Sequence, residues 1–268
     1  MFNETSDLQW REPSSGRKPS ETRGAQPVVD PNQGEKKMTE PVAMQGVVSV
    51  PSKPLVAPRG ITVCAPKIPA QVHVAILIDA TGSSGPFAQG ICRTSEHILR
   101  GVEAKAAKVV CTVQIHRDED YGQMPCTLLS AGSVAEALDE IGRISFEGGG
   151  VAEETHAAAV LRALNSVAWI ANSRMAHDAM VLMTSSESKP VAGVSFSDIG
   201  KRIQQQGILF YHVGEPTPNL KAMTDAAKGM TIPLSNNPDA GECACVAAKC
   251  AASITASVSR GATVPVTA

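Results

Sequence analysis

Six consecutive residues carry the clearest chemistry in this chain: Asp79-Ala80-Thr81-Gly82-Ser83-Ser84. One carboxylate and two hydroxyls stand at alternate positions, 79, 81 and 83, with Ser84 beside them. Alternate residues of an extended turn project to one side, so the three oxygens can converge on one point. Oxygen donors of this kind suit Mg²⁺, which wants near-octahedral geometry and usually keeps some of its waters. A partner's carboxylate can fill an open coordination position. A plainer role fits the same spacing: Asp79 and Ser83 cap the following helix and Gly82 supplies the turn. On spacing alone capping is favoured, because Asp, Ser and Thr are preferred helix caps everywhere.

The hydrophobic pattern sets this hexapeptide between a strand and a helix. VHVAILI (72–78) is a continuous apolar run, which suits a central strand buried on both faces. Residues 86–106 carry Phe87, Ile91, Ile98, Leu99 and Val102 on roughly one helical face. KVVCTVQIH (108–116) reads as a second strand and PCTLLS (125–130) as a short third. SVAEALDEIGRI (133–144) opens on Ser133 with Glu136 three residues later, a capping-box pattern. Gly148, Gly149 and Gly150 lead into an Ala-rich helix predicted over 152–172. DAMVLMTS (178–185) is the next central strand, and Ser197 is placed as the cap of a helix over 198–206. A strand at 208–213, a helix over 217–228, a strand at 230–234 and an Ala/Cys-rich helix over 240–257 complete the order.

Such alternation predicts an α/β three-layer sandwich with a mostly parallel sheet of six strands, the short 125–130 strand antiparallel at one edge. In sheets of this kind ligands bind beyond the carboxyl ends of the strands. The residues to inspect are therefore 79–84, 117–121, 148–154, 184–188 and 214–216.

Composition bounds the rest. The chain has 268 residues, 43 % of them apolar but only 3 % aromatic, so its core must rest on Val, Ile, Leu, Met and Ala. Residues 1–70 read as a polar, Pro-rich arm and linker that cannot bury enough surface to offset its ordering entropy. The domain is placed at 71–258 and a short tail at 259–268; limited proteolysis that leaves a stable core from near residue 70 would support that boundary. The net charge of −2 gives no reason to expect a nucleic-acid or membrane partner. The N-terminus lacks the apolar stretch of a secretory signal, and no apolar run approaches the roughly 20 residues of a membrane span. Seven cysteines without framework spacing read as reduced thiols, so the expected location is cytoplasmic.

Four segments in order resemble von Willebrand factor A-type (vWA) domains. DATGS (79–83) matches the D-x-[ST]-x-S motif of their metal-ion-dependent adhesion site. HRDEDYG (116–122) is similar to the arginine-aspartate loop of one branch. FEGGGVAEETHAAAVLRAL (146–164) is similar to that branch's GGGD-x-PE-A segment, and Trp169 sits where it often has tryptophan. AMVLMTSSESKP (179–190) is similar to its strand ending in a Thr-Asp pair. The resemblance spans about residues 72–235. It implies a non-catalytic adaptor or scaffold that binds a protein at the strand-end rim; in intracellular bacterial settings such domains work alongside AAA ATPases, kinases or phosphatases. It also implies metal ligands at Asp79, Thr81 and Ser83. Ser84, Arg117, Asp118, Gly149, Gly150, Glu153, Glu154, Thr184 and Ser185 are the implied partner-binding rim. Val151 stands where the family has Asp or Thr, and Ser185 where it has Asp. Divalent-ion affinity tracks ligand charge, so Mg²⁺ binding is expected to be weak or absent. Glu153, Glu154 and Glu187 are the carboxylates near enough in sequence to substitute.

Other groupings support other readings less well. Ser83 between strand and helix resembles a nucleophile elbow, with His156, His177 and His212 as candidate bases, but Thr81 stands where that motif wants glycine. A serine hydrolase is therefore the alternative. Arg117 and Asp118 are expected to brace the site loop, and Glu119 and Asp120 to belong to a solvated loop with local ion pairs worth little each. The three glycines suit a tight helix entry better than an anion cradle. Cys243, Cys245 and Cys250 fit no usual zinc spacing and read as helix packing, with Cys243 and Cys250 on one face.

Overall fold

The computed structural model describes residues 67–150, 153–170 and 175–260, all within the unit formed by residues 61–268. The arm, Val151 and the tail beyond residue 260 lie outside the described residues. The first strand, β1, runs Ile68–Asp79. A six-residue 3-10 helix, Gly82–Phe87, follows it and leads into helix α1, Ala88–Glu103. Pro86 sits inside that 3-10 segment. Strand β2 is Ala106–His116, β3 is Cys126–Gly132 and helix α2 is Val134–Ile141. A two-residue strand β4, Glu153–Glu154, precedes helix α3, His156–Ser166. Strand β5 is Ala176–Met183, and the short β6 is Glu187–Ser188. Helix α4 (Phe196–Gln205), strand β7 (Leu209–Val213), helix α5 (Pro218–Ala226), strand β8 (Met230–Ile232) and helix α6 (Ala240–Arg260) end the order.

Six strands form one sheet in the order β3-β2-β1-β5-β7-β8. All its pairings are parallel except β2 with the edge strand β3, as the sequence predicts. The sheet is the middle layer of three. Alternate residues of β1 feed two separate apolar clusters. Val72, Val74, Ile76 and Ile78 pack with α1, α2 and α6. Ala75 and Leu77 pack with α3, α4 and α5. Burial on both faces is why β1 and β5 read as unbroken apolar runs rather than as alternating ones.

Local details differ from the sequence expectation in three places. Ser195, not Ser197, caps α4, accepting from the Asp198 amide, because Ile199 and Ile203 must face the core and set the helix phase. The Ala-rich helix is shorter than 152–172. It stops at Ser166, where Val167 turns extended and Trp169 folds back to donate its indole N–H to the Ala163 carbonyl at 3.2 Å. Helix α1 begins later than expected, behind the 3-10 turn. The capping box on α2 forms: Ser133 Oγ accepts from the Glu136 amide, and Glu136 accepts from the Ser133 amide at 2.8 Å. Cys111, Cys243 and Cys250 are buried free thiols, whereas Cys245 is exposed, so the helix face proposed for 243 and 250 is the packed one.

Candidate functional site at the carboxyl rim

Asp79 ends β1 at the centre of the sheet, fully buried, with His116 of β2 as its register partner. Its carboxylate collects four hydrogen bonds. Oδ1 accepts from the Thr81 amide at 3.1 Å and from the Thr81 hydroxyl at 2.7 Å. Oδ2 accepts from Ser84 Oγ at 2.9 Å and from Thr184 Oγ1 at 3.1 Å. Thr81, at the N-cap position of the 3-10 helix, makes no side-chain cap bond. The capping role favoured by spacing alone is therefore not what these residues do. They build a converging oxygen cluster instead. Ser83 Oγ lies 2.9 Å from Thr81 Oγ1 and stays exposed at the rim.

Behind Asp79 stands a pair of histidines that the sequence reading did not join. His116 Nε2 is 2.8 Å from His156 Nδ1, edge-on. His156 Nε2 is 2.8 Å from Thr184 Oγ1 and 2.9 Å from Ser186 Oγ. With the Thr184 hydroxyl donating to Asp79, His156 donates through Nε2 and must accept through Nδ1, so His116 donates through Nε2. The result is a buried chain of donors, His116 to His156 to Thr184 to Asp79. Burial pushes the His116 imidazole below its ordinary range, and pushes His156 down to about 3. Burial alone would raise the Asp79 carboxyl, but the nearby His156 and His116 and the Thr81 hydrogen bonds hold it below the usual aspartate value. Asp79 is thus an anion solvated by protein donors.

Three further loops close on this point. Gly82 N donates to the Gly148 carbonyl at 2.9 Å, and Glu147 N to the Ala80 carbonyl at 3.1 Å. Gly148 and Gly149 take φ of 75° and 89°, a left-handed bend that presses the loop against Thr81. The Gly149 amide bonds Gln123 Oε1, so the glycines serve the turn and that amide is not offered to an anion. The Tyr121 ring lies against Gly150, where a side chain would collide with it. Arg117 braces the site loop as expected, donating from Nε to the Ala80 carbonyl at 3.1 Å and from Nη2 to the Ser145 carbonyl at 2.7 Å. Asp118 is buried and accepts from Lys189 Nζ at 2.8 Å.

Glu119 and Asp120 form the ion pairs expected of a solvated loop, and Asp120 is exposed, but the partners are distant in sequence and not local. Glu119 takes Arg162 in a two-point pair at 2.9 Å, and Asp120 shares Lys189 with Asp118. These pairs tie the loop after β2 to α3 and to β6, contacts between distant segments that local sequence does not carry.

Glu153 and Glu154 form β4, beside Glu187 and Ser188 of β6. Glu153 is exposed; Glu154 is 2 % exposed and turned inward. The Ser83 hydroxyl hydrogen-bonds its carboxylate, yet Oε2 has no partner among the described residues. Burial, then repulsion from Asp79 and Asp118, raises this carboxyl to about 7, against partial relief from Lys189 and Ser83. Glu187 is spent elsewhere, accepting from Thr217 and from the Ser188 amide. Ser185 lies half-buried next to Thr184. Thr184 is thus a hydrogen-bond donor to Asp79 as well as a rim residue.

The hydrolase alternative finds no support in this arrangement. Among the described residues, the Ser83 hydroxyl meets Thr81 and Glu154 and none of the histidines. His156 is buried and faces His116, Thr184 and Ser186 instead. His177 lies at the start of β5, the opposite end of the sheet.

No protein-family model matches this chain, and a comparison with curated proteins finds no match. Among solved structures, proximal thread matrix protein 1 of the mussel byssus aligns with a TM-score of 0.52 at 12 % identity, over 70 % of this chain and 46 % of that one. This chain therefore spans less than half of that protein's length. The SpRpn10 VWA domain aligns with a TM-score of 0.48 at 12 % identity, over 66 % of this chain and 93 % of that one. What the mussel protein shares with this chain is the fold. Here that fold is a three-layer α/β sandwich around a mostly parallel six-stranded sheet.

Proposed function

We propose that this chain is a protein-interaction module that captures a partner at the carboxyl rim of its sheet, without catalysis and with a weakened dependence on Mg²⁺. One observation carries the reading: the loops after β1, β2 and β5 and the glycine loop all converge on Asp79. Side chains suited to an interface surround that point. Tyr121 and Met124 are 57 % and 56 % exposed on the loop after β2, and aromatic and methionine side chains are enriched at protein interfaces. The exposed rim around them is polar, as partner-binding surfaces are, with Ser83, Gly150, Glu153 and Asp120 open to solvent.

The donor set fits a hard cation in chemical type. Asp79, Thr81, Ser83 and Glu154 offer only oxygen, and Glu154 Oε2 has no hydrogen-bond partner among the described residues. When bound, such an ion would present an open coordination position to an acidic group of the partner. The expected affinity is low because Val151 and Ser185 replace the family's usual ligands. No helix among the described residues is long and apolar enough to cross a membrane. We take the setting to be cytoplasmic from the reduced thiols.

Affinity capture from a cell extract tests the reading, using wild type and Asp79→Ala, with and without EDTA. Capture lost in Asp79→Ala supports the rim as the contact surface, and partial loss in EDTA supports a residual metal role. Capture unchanged by both treatments moves the contact surface elsewhere and overturns the proposal.

A further inference from the structure

We propose that Glu154 is the second carboxylate of a divalent-cation site at this rim, standing in for the acidic ligands that Val151 and Ser185 have lost. The inference deepens the rim-binding reading and rests on it. Its starting point is an anomaly. A carboxylate 2 % exposed should have its oxygens paired, because burial without a partner costs several kcal/mol by order of magnitude. Glu154 Oε2 is buried and has no such partner among the described residues.

The charges around it sharpen the point. Asp79 and Asp118 both repel Glu154. The nearby cation, Lys189, is already divided between Asp118 and Asp120 at 2.8 Å each. The histidines behind Asp79 commit their facing nitrogens to each other and to Thr184. Positive charge is what this point lacks.

Donor chemistry chooses the cation. Glu154 Oε1 and the Thr81 side chain both lie beneath the Gly149 bend, where a Cβ on Gly149 would stand 3.5 Å from the first and 3.1 Å from Thr81 Cβ. Hydrogen bonds link Glu154 to Ser83, Ser83 to Thr81 and Thr81 to Asp79, and this linked set offers oxygen alone, with no thiolate or imidazole in it. Oxygen-only donors select Mg²⁺ or Mn²⁺ over zinc. Glu154 lies three residues past Val151, and β4 pairs with β6 to turn it inward while Glu153 faces solvent. The register of that two-strand pair assigns the role to one glutamate and not its neighbour.

The test uses the full chain, stripped with EDTA and titrated with Mn²⁺ while free Mn²⁺ is followed by electron paramagnetic resonance. One site is expected, filling at or below about 1 mM, and Glu154→Gln should weaken it at least about tenfold. Glu153→Gln should leave it unchanged. A thermal scan adds a readout independent of partner binding: Mn²⁺ should raise the melting temperature of wild type and Glu153→Gln but not of a folded Glu154→Gln. Equal Mn²⁺ affinity in Glu154→Gln and wild type, or no bound Mn²⁺ at about 10 mM, overturns the inference. Partner capture in EDTA is scored separately, so the rim can survive as a contact surface even where the metal site fails.

Discussion

Asp79 carries one negative charge into a place closed to solvent, and its four donors are what make that tolerable. Each donor is replaceable only by another donor. Thr184→Val keeps the shape but leaves Asp79 Oδ2 to Ser84 alone and takes the hydroxyl from His156 Nε2. Equilibrium urea unfolding should show a loss of about 1–3 kcal/mol, with Thr184→Ser costing less. His212 is a second residue whose state has a measurable consequence. It is fully buried in β7, and burial holds its imidazole down at about 4 from an ordinary 6.5. Because the folded value lies below the unfolded one, the unfolded chain binds the proton first. The contribution is therefore complete above pH 6.5, declines as the pH falls, and levels off below about 4. Between about pH 7.5 and about pH 5 this histidine should account for about 2 kcal/mol of lost stability, which His212→Gln should remove from the pH profile.

Elements hold these residues in place through backbone contacts that side-chain patterns do not announce. Gly214, just past the end of β7, has φ of 149°, and a Cβ there would collide with the Thr184 carbonyl oxygen. It lets β7 close against the loop that carries Thr184. Gly214→Ala should cost about 2 kcal/mol or more and disturb the Thr184–Asp79 bond, as unfolding curves and the Mn²⁺ titration would both report. The start of α2 offers a contrasting case, visible in one line of sequence. Ser133→Ala should remove about 1 kcal/mol through the lost cap, with no effect on the rim. The helix starts at 196 and 88 escaped the sequence for the same reason that Gly214 did. Phe196 and Ile199 on α4, and Phe87 ahead of α1, seat against distant strands, and that packing sets the helix phase.

At the scale of the whole molecule, one sheet separates two apolar clusters, and adjacent residues of β1 report on different ones. Ile76 faces α1, α2 and α6, while Leu77 faces the α3, α4 and α5 side. Ile76→Ala and Leu77→Ala should each cost about 2–5 kcal/mol, in a single unfolding transition followed equally by circular dichroism and fluorescence. Separate transitions for the two variants would mean that the faces fold independently.

The sequence by itself determined the layer order, the parallel sheet and the clustering of Asp79, Thr81, Ser83 and Thr184 at strand ends. Buried strands and amphipathic helices write their periods directly into the chain, and a strand end is one residue long. Tertiary structure alone decided what those residues do to one another. It made Asp79 a hydrogen-bonded anion instead of a cap, brought His116 against His156 across 40 positions, and turned Glu154 inward while leaving Glu153 in water. Charge, burial and donor pairing at those sites depend on segments far apart in sequence, and no local pattern encodes the distance between them.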